Sequence, residues 1–343
     1  DNTNNNITTY KNLDSFKNIT NESIRERKES EFDETKQLSI NYTKKFKREG
    51  HEIVFEYQYE YSNEIEDGIF NNQTIFPEFG SVFIDKLVTD EKQKRSLYQM
   101  DYILPFNKNS QFEFGYRGSF VERETDYDVS FLTGNSFISD SGLSNIFNYK
   151  ESVNSLYTQF GKKFDKLSAL FGLRYENSKQ EINQKTTNQF EIKKYSDLFP
   201  TLNLAYEFSS QESLTFGYSK RIRRPRGWDI NPFPRRNSVT SFRRGNPFLN
   251  PTFTTALEID YLKRFQKFTL NTSIFYRQSD GNIERITEET GEIVDLIVDS
   301  DSSAPILQVP VLESYPINLS NNKRIGSELS LTYTPSRSVR LNA

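Results

Sequence analysis

Along this chain, apolar and polar side chains alternate with a period of two wherever hydrophobic residues are frequent. Leu214, Phe216, Tyr218 and Ile222 fall on one side of an extended backbone, and Ser213, Thr215, Gly217, Ser219 and Arg221 on the other. This predicts a strand with one oily and one wet face. The same split recurs at Leu38/Ile40/Tyr42, Ile53/Phe55/Tyr57/Tyr59/Tyr61, Phe112/Phe114/Tyr116/Phe120, Leu156/Thr158/Phe160, Ala169/Phe171/Leu173/Tyr175, Leu202/Leu204/Tyr206/Phe208, Leu257/Ile259/Tyr261, Leu270/Thr272/Ile274/Tyr276 and Leu329/Leu331/Tyr333. The opposite faces carry charges of both signs, among them Glu56/Glu60, Arg174/Glu176 and Glu258/Asp260. A sandwich core does not accept such a face, whereas a water-filled lumen does.

Connection lengths alternate as well. Short polar turns are expected at Lys47–Gly50, Asn107–Ser110, Asp165–Leu167, Ser209–Glu212, Gln266–Lys267 and Pro335–Arg337, and long loops at about 63–92, 127–148, 178–198, 224–252 and 281–321. Tight turns at one end and long loops at the other describe an all-β, antiparallel up-and-down transmembrane β-barrel with its long loops outside. Phe46, Phe106, Phe164, Phe208, Phe265 and Tyr333 lie beside the tight turns, where an interfacial girdle belongs. The pattern predicts about eleven full strands and a truncated twelfth from Ser338. Residues 1–33 lack alternation and are expected to be the remnant of an exterior loop, leaving 34–343 as barrel wall. An open sheet cannot leave its edges in hydrocarbon. The wall is therefore expected to be part of a larger barrel of about 22 strands.

Composition agrees. Only 34% of the 343 residues are hydrophobic while 14% are aromatic, as expected if rings cover one face only. Mean hydropathy is −0.74, and no stretch approaches the ~20 apolar residues of a spanning helix. There is no Cys, and His51 is the single His, so classical nucleophilic catalysis has few available parts and no enzymatic activity is expected. A net charge of −3 provides no general attraction for nucleic acid.

Candidate chemistry concentrates in the loop after Tyr218. Arg223, Arg224, Arg226, Arg235, Arg236, Arg243 and Arg244 crowd one rim segment, where they would either hold an anionic solute or lipopolysaccharide phosphates or pair with acids of neighbouring loops such as Asp299 and Asp301. Asp295, Asp299 and Asp301 lack the ligand spacing of a calcium loop, so neither a metal nor another cofactor is expected. Glu56 and Glu60 share a lumen face without a pocket. The Asn-x-Ser/Thr sites at Asn18, Asn21 and Asn41 look incidental.

The segment Tyr218-Ser219-Lys220-Arg221-Ile222-Arg223-Arg224-Pro225, then Trp228-Asp229-Ile230-Asn231-Pro232-Phe233, then Gly245-Asn246-Pro247-Phe248-Leu249-Asn250-Pro251 with Glu258 in the next strand, resembles the C-terminal half of TonB-dependent receptors and the outer-membrane β-barrel family related to them. Gly245, Asn246, Pro247, Leu249, Pro251 and Glu258 match position by position, and Thr252 departs where an acid is usual. Pro225, Asn231 and Pro232 belong to the same motif, for which turn chemistry suggests a structural role. The resemblance implies a Gram-negative outer-membrane address, contact with outer-membrane lipid and lipopolysaccharide, a plug, a box engaging a TonB-type periplasmic energy transducer, and energy-coupled uptake of a bulky solute. The plug and box would precede Asp1. The alternative is a barrel without them, serving as a structural or secretion-complex subunit beside a surface lipoprotein or other partners.

Overall fold

A computed structural model describes residues 2–13, 16–80, 82–238, 240–297, 306–319, 321–336 and 339–342. Its elements are β1 (Asn2–Leu13), β2 (Ile19–Lys45), β3 (Glu52–Phe76), β4 (Phe83–Asn107), β5 (Ser110–Thr133), β6 (Ser136–Ser139), β7 (Asn145–Phe164), β8 (Leu167–Gln184), β9 (Gln189–Ser209), β10 (Glu212–Arg223), α1 (Gly227–Ile230), β11 (Arg235–Ser238), β12 (Ser241–Arg243), β13 (Thr252–Arg264), β14 (Phe268–Asp280), β15 (Asn282–Ile297), β16 (Ile306–Leu319), β17 (Asn322–Ser336) and β18 (Val339–Asn342). One 14-stranded sheet runs β1-β2-β3-β4-β5-β7-β8-β9-β10-β13-β14-β17-β18, with β6 added to β5. Its pairings are antiparallel throughout, so the wall is an up-and-down meander. Eleven long strands (β2–β5, β7–β10, β13, β14 and β17) and the short β18 carry the alternating segments, as the period predicts. A second sheet, β11-β12-β16-β15, is built from the excursions between wall strands.

Register aligns the apolar positions into a band. Tyr57 faces Tyr98, Leu156 faces Tyr175, Phe171 faces Leu202, Phe216 faces Ile259 and Thr272 faces Leu329. Because side chains opposite one another share a face, these rings and aliphatics form one continuous outer surface. Its members stay exposed, Phe171 at 52%, Ile274 at 59% and Leu329 at 71%, on an apolar area far larger than a soluble chain leaves to water. Along β8 the outward apolar run spans Leu167–Tyr175, nine residues, matching the ~9–11 that cross hydrocarbon at a barrel tilt. The polar face looks the other way, with Asp101 opposite Gly115 and Ser155 opposite Glu176.

The turn-proximal rings form their girdle with a recurring partner. Lys44, Lys162 and Lys263 stand over Phe46, Phe164 and Phe265, two residues on, at 5.5, 4.5 and 5.4 Å from the ring centroids. These lysines lay their stems along the apolar surface and lift their charge toward water. Phe46 also stacks on His51 at 4.2 Å, and His51 Nε2 lies 3.0 Å from the Tyr102 hydroxyl.

Two sequence expectations are corrected. Within 1–33, residues 2–13 and 19–33 are strand: β1 and the first half of β2 form a hairpin in which Asn2 faces Glu31 and Tyr10 faces Ser23. Four of the five long connections are likewise mostly strand among their described residues, whereas 224–252 holds only a helical turn and two short strands. β3 and β4 stay paired through Asn72 and Phe83, so the segment 63–92 is ladder except around residues 77–82. The pairs Ser178–Tyr195 and Gln184–Gln189 do the same for 178–198. The physical reason is common to these strands: above the lipid band, water meets both faces, so both can be polar and the period that marks a strand disappears. Among the described residues, no helix is long and apolar enough to cross a membrane.

Candidate functional site

The segment after β10 folds over the polar face instead of standing free at the rim. Pro225 is buried, and its carbonyl accepts from Gln180 Nε2 at 3.3 Å. The single turn α1 follows, with Asp229 Oδ2 accepting from the Arg226 backbone N–H at 3.3 Å. The chain then returns through Gly245 and Asn246, whose N–H groups donate to the carbonyls of Asn231 and Asp229, each at 2.7 Å. A Cβ on Gly245 would lie 2.6 Å from Asn231 backbone atoms. Only glycine permits that approach. Asn246 caps the next turn through Oδ1, accepting from Phe248 N–H at 2.9 Å, and its Nδ2 reaches the Pro316 carbonyl at 3.1 Å.

This turn drives Leu249 and Ile230, both fully buried, against Phe147, Tyr149 and Ile182 of the wall. Burial also raises the Tyr149 hydroxyl well above its ordinary value, reinforced by Glu151, whose carboxylate accepts its hydrogen bond at 2.9 Å. Lys193 donates to the Leu249 carbonyl. Pro247 and Pro251 are buried, Pro232 partly so. Thr252, the residue that departs from the motif, donates its hydroxyl to the Gly281 carbonyl at 3.0 Å, and Glu258 sits on the polar face opposite Gly217 and Phe275.

The structure sorts the seven arginines. Arg224 is locked down: Nη2 lies 2.5 Å from Glu176 Oε2 and Nε donates to Ser178 Oγ at 3.1 Å. Arg244 forks onto Glu313 at 2.5 and 3.0 Å and covers the Tyr315 ring. Arg226 lies over Trp228, 5.1 Å from the ring, and Arg223 is exposed. Arg235 covers the buried Tyr127 ring at 4.7 Å and faces Arg243 across the β11–β12 ladder. The side chains of Arg236 and Asp295 and all of Asp299 and Asp301 lie outside the described residues. Among the described residues, the acids that pair with this loop's arginines are Glu176 and Glu313, on strands far away in sequence.

Between the polar face of β4, β5 and β7 and the folded-in loop is a cavity of about 470 Å³. Glu91, Arg123, Thr125 and Phe147 form its wall side; Trp228, Asp229, Phe233, Arg235, Arg243, Arg244 and Arg285 close it. Arg123 pairs with Glu91 at 3.2 Å. Arg285 donates to the Ser314 carbonyl at 3.1 Å, and burial together with the nearby Arg243 lowers its pKa. Sequence reading missed Arg123 and Arg285. Arg123 sits in a charge-rich run that reads as solvated surface, although its odd parity on β5 places it on the polar face. The described residues contain no group of three or more His, Cys, Asp or Glu that could hold a metal.

The model of the outer membrane protein beta-barrel family matches residues 44–343. The chain belongs to that family. As the apolar band requires, it is a wall of the Gram-negative outer membrane. Among solved structures it resembles the hemophore receptor HasR of Serratia marcescens, determined as a double mutant with its hemophore HasA and heme, at 13% identity over 91% of this chain and 52% of HasR, with a TM-score of 0.50. It also resembles the copper transporter OprC, at 9% identity over 96% of this chain and 54% of OprC, with a TM-score of 0.57. The family chain thus spans about half the length of these receptors, and its likeness to TonB-dependent receptors is one of fold. No curated protein matches it.

Proposed function

We propose that this chain forms wall and exterior of an energy-coupled receptor that takes up a bulky solute through a larger barrel of about 22 strands. The observation that carries this reading is the Arg/Pro segment folded onto the polar face, which turns part of the lumen side into a built cavity. A scaffold needs no such lining. A TonB-type transducer engaging a segment outside this chain would supply the energy, and outer-membrane lipid with lipopolysaccharide would surround the apolar band. The reading includes no catalysis: His51, the single histidine, is stacked on Phe46 at the short-turn end, opposite the cavity.

The test is accumulation of labelled heme, metal chelates, oligosaccharides and cofactors by cells with and without the gene. Loss of one solute on deletion, reproduced in wild-type cells by a protonophore, supports receptor function. Unchanged accumulation of all of them, with loss of a surface complex from the membrane, would transfer the protein to the scaffold class.

A further inference from the structure

Arg235 and Arg243 are direct partners on β11 and β12, and both line the cavity together with Arg285. Opposed like charges destabilise a ladder, even though all three side chains keep contact with solvent. Three other, part-buried arginines have carboxylate partners: Arg224 has Glu176, Arg244 has Glu313 and Arg123 has Glu91. Arg235, Arg243 and Arg285 form no ion pair among the described residues. Of the two acids in the lining, Glu91 pairs with Arg123, and Asp229 accepts from the Arg226 backbone N–H and faces Arg285 electrostatically without an ion pair. Three forks on one cavity therefore carry a positive excess that no ion pair among the described residues neutralises.

We propose that Arg235, Arg243 and Arg285 hold a soluble polyanion with at least two carboxylate or phosphate groups, its carbon body resting against Trp228 and Phe233. A guanidinium takes either group in a two-pronged hydrogen bond. The volume falls within the few hundred to ~1,000 Å³ usual for small-molecule sites. Lipid-borne phosphate is the other source of such groups, but the cavity opens on the polar face of the wall and the lipid band lies on the opposite face. The assignment rests on the uptake reading for its purpose and not for its chemistry, so equilibrium binding tests it independently of accumulation.

The experiment uses the protein purified from outer membranes in detergent, with citrate and tripolyphosphate as probes, followed by calorimetry at low and moderate salt. Saturable binding by the wild type is expected, weakened at least ~10-fold in the Arg243→Ala/Arg285→Ala double variant, less in Arg243→Lys/Arg285→Lys, and unchanged in Lys267→Ala, which removes one positive charge at the opposite end. Heat-modifiable mobility on gels verifies that each variant is folded. No saturable binding of either probe, an equal loss in Lys267→Ala, or binding only of lipid A phosphate presented in mixed micelles would overturn the proposal. Failure here with solute accumulation intact would leave the receptor reading standing, and the converse would leave the site without a transport role.

Discussion

Arg224 and Glu176 meet at 2.5 Å across 48 residues of chain, with 15% and 9% of their side chains exposed. Glu176 also forms an ion pair with Arg174 at 2.6 Å, so one carboxylate faces two guanidiniums and anchors the descending loop to the wall. Breaking a buried pair from one side leaves an uncompensated charge, at a cost of ~3–5 kcal/mol. Glu176→Gln should therefore release the loop, detected as fast protease cleavage within residues 224–251 while the membrane-embedded wall stays intact. Arg224→Met in the same background should recover part of the loss. Equal protection of wild type and Glu176→Gln would refute the anchor.

Gly115 exists for its neighbour. Tyr157 lies across it and donates to Asp101 on the next strand, and a Cβ at Gly115 would come within 2.3 Å of the Tyr157 ring. Gly115→Ala should destabilise the wall by ~1–3 kcal/mol, the usual penalty for overpacking. Gly217→Ala, whose Cβ would meet only Asn203 Oδ1 at an ordinary 3.5 Å, should lose less than ~1 kcal/mol. Urea unfolding in lipid vesicles compares them, and matching losses would show that the tyrosine bridge is irrelevant.

The face assignment makes a prediction of its own. Phe171 points from the apolar band, whereas Asn203 lies on the polar face, one register step from the outward Leu202 and Leu204. Phe171→Arg should cost ~2–4 kcal/mol near midplane and Asn203→Arg close to nothing. Refolding yield into vesicles reads the difference, and comparable defects would reverse the inside and outside of the wall.

A pH effect follows from Asp126, which faces Asp90 directly on β4 above the lipid band. Burial, then Asp128, Asp90 and Glu124, raise the Asp126 carboxyl above its ordinary range, with Lys92 opposing them. The folded state thus binds this proton more readily than the unfolded chain, so stability falls as pH rises from the ordinary carboxylate range toward the raised value. Asp126→Asn should stabilise the exterior hairpins by at most ~1 kcal/mol at neutral pH, and the gain should fade as pH falls to ~4. Hydrogen exchange of β4 and β5 amides measures it; a gain that persists in acid would assign the effect elsewhere.

How far the sequence could be read depended on what lay on each side of the strand. The run Leu214 to Ile222 was legible because lipid on one face and water on the other impose the period. Asn63-Glu64-Ile65-Glu66 in β3 was not, since water bathes both faces and nothing constrains the order of residues. The arginine cluster after β10 was visible as a cluster, and the motif around Gly245 suggested a turn. Their partners were invisible: Glu176 and Glu313 lie 48 and 69 residues from the arginines they hold, a separation set by sheet register and not by spacing. Arg123 and Arg285 were missed for the same reason, because only the folded-in loop brings them to one cavity.

The unbroken ladder of β3 and β4 continues eleven residues past the outward Tyr61, to Asn72 opposite Phe83, about 36 Å at the ~3.3 Å rise of a strand. A visiting molecule therefore first touches a stiff mast of hydrogen-bonded rungs. Such a mast loses little further conformational freedom on contact, because that entropy was given up when the hairpin formed. Encounters at the cell surface are thus decided by fit to a fixed shape, and a poorly matched visitor gains nothing from the rim adapting to it.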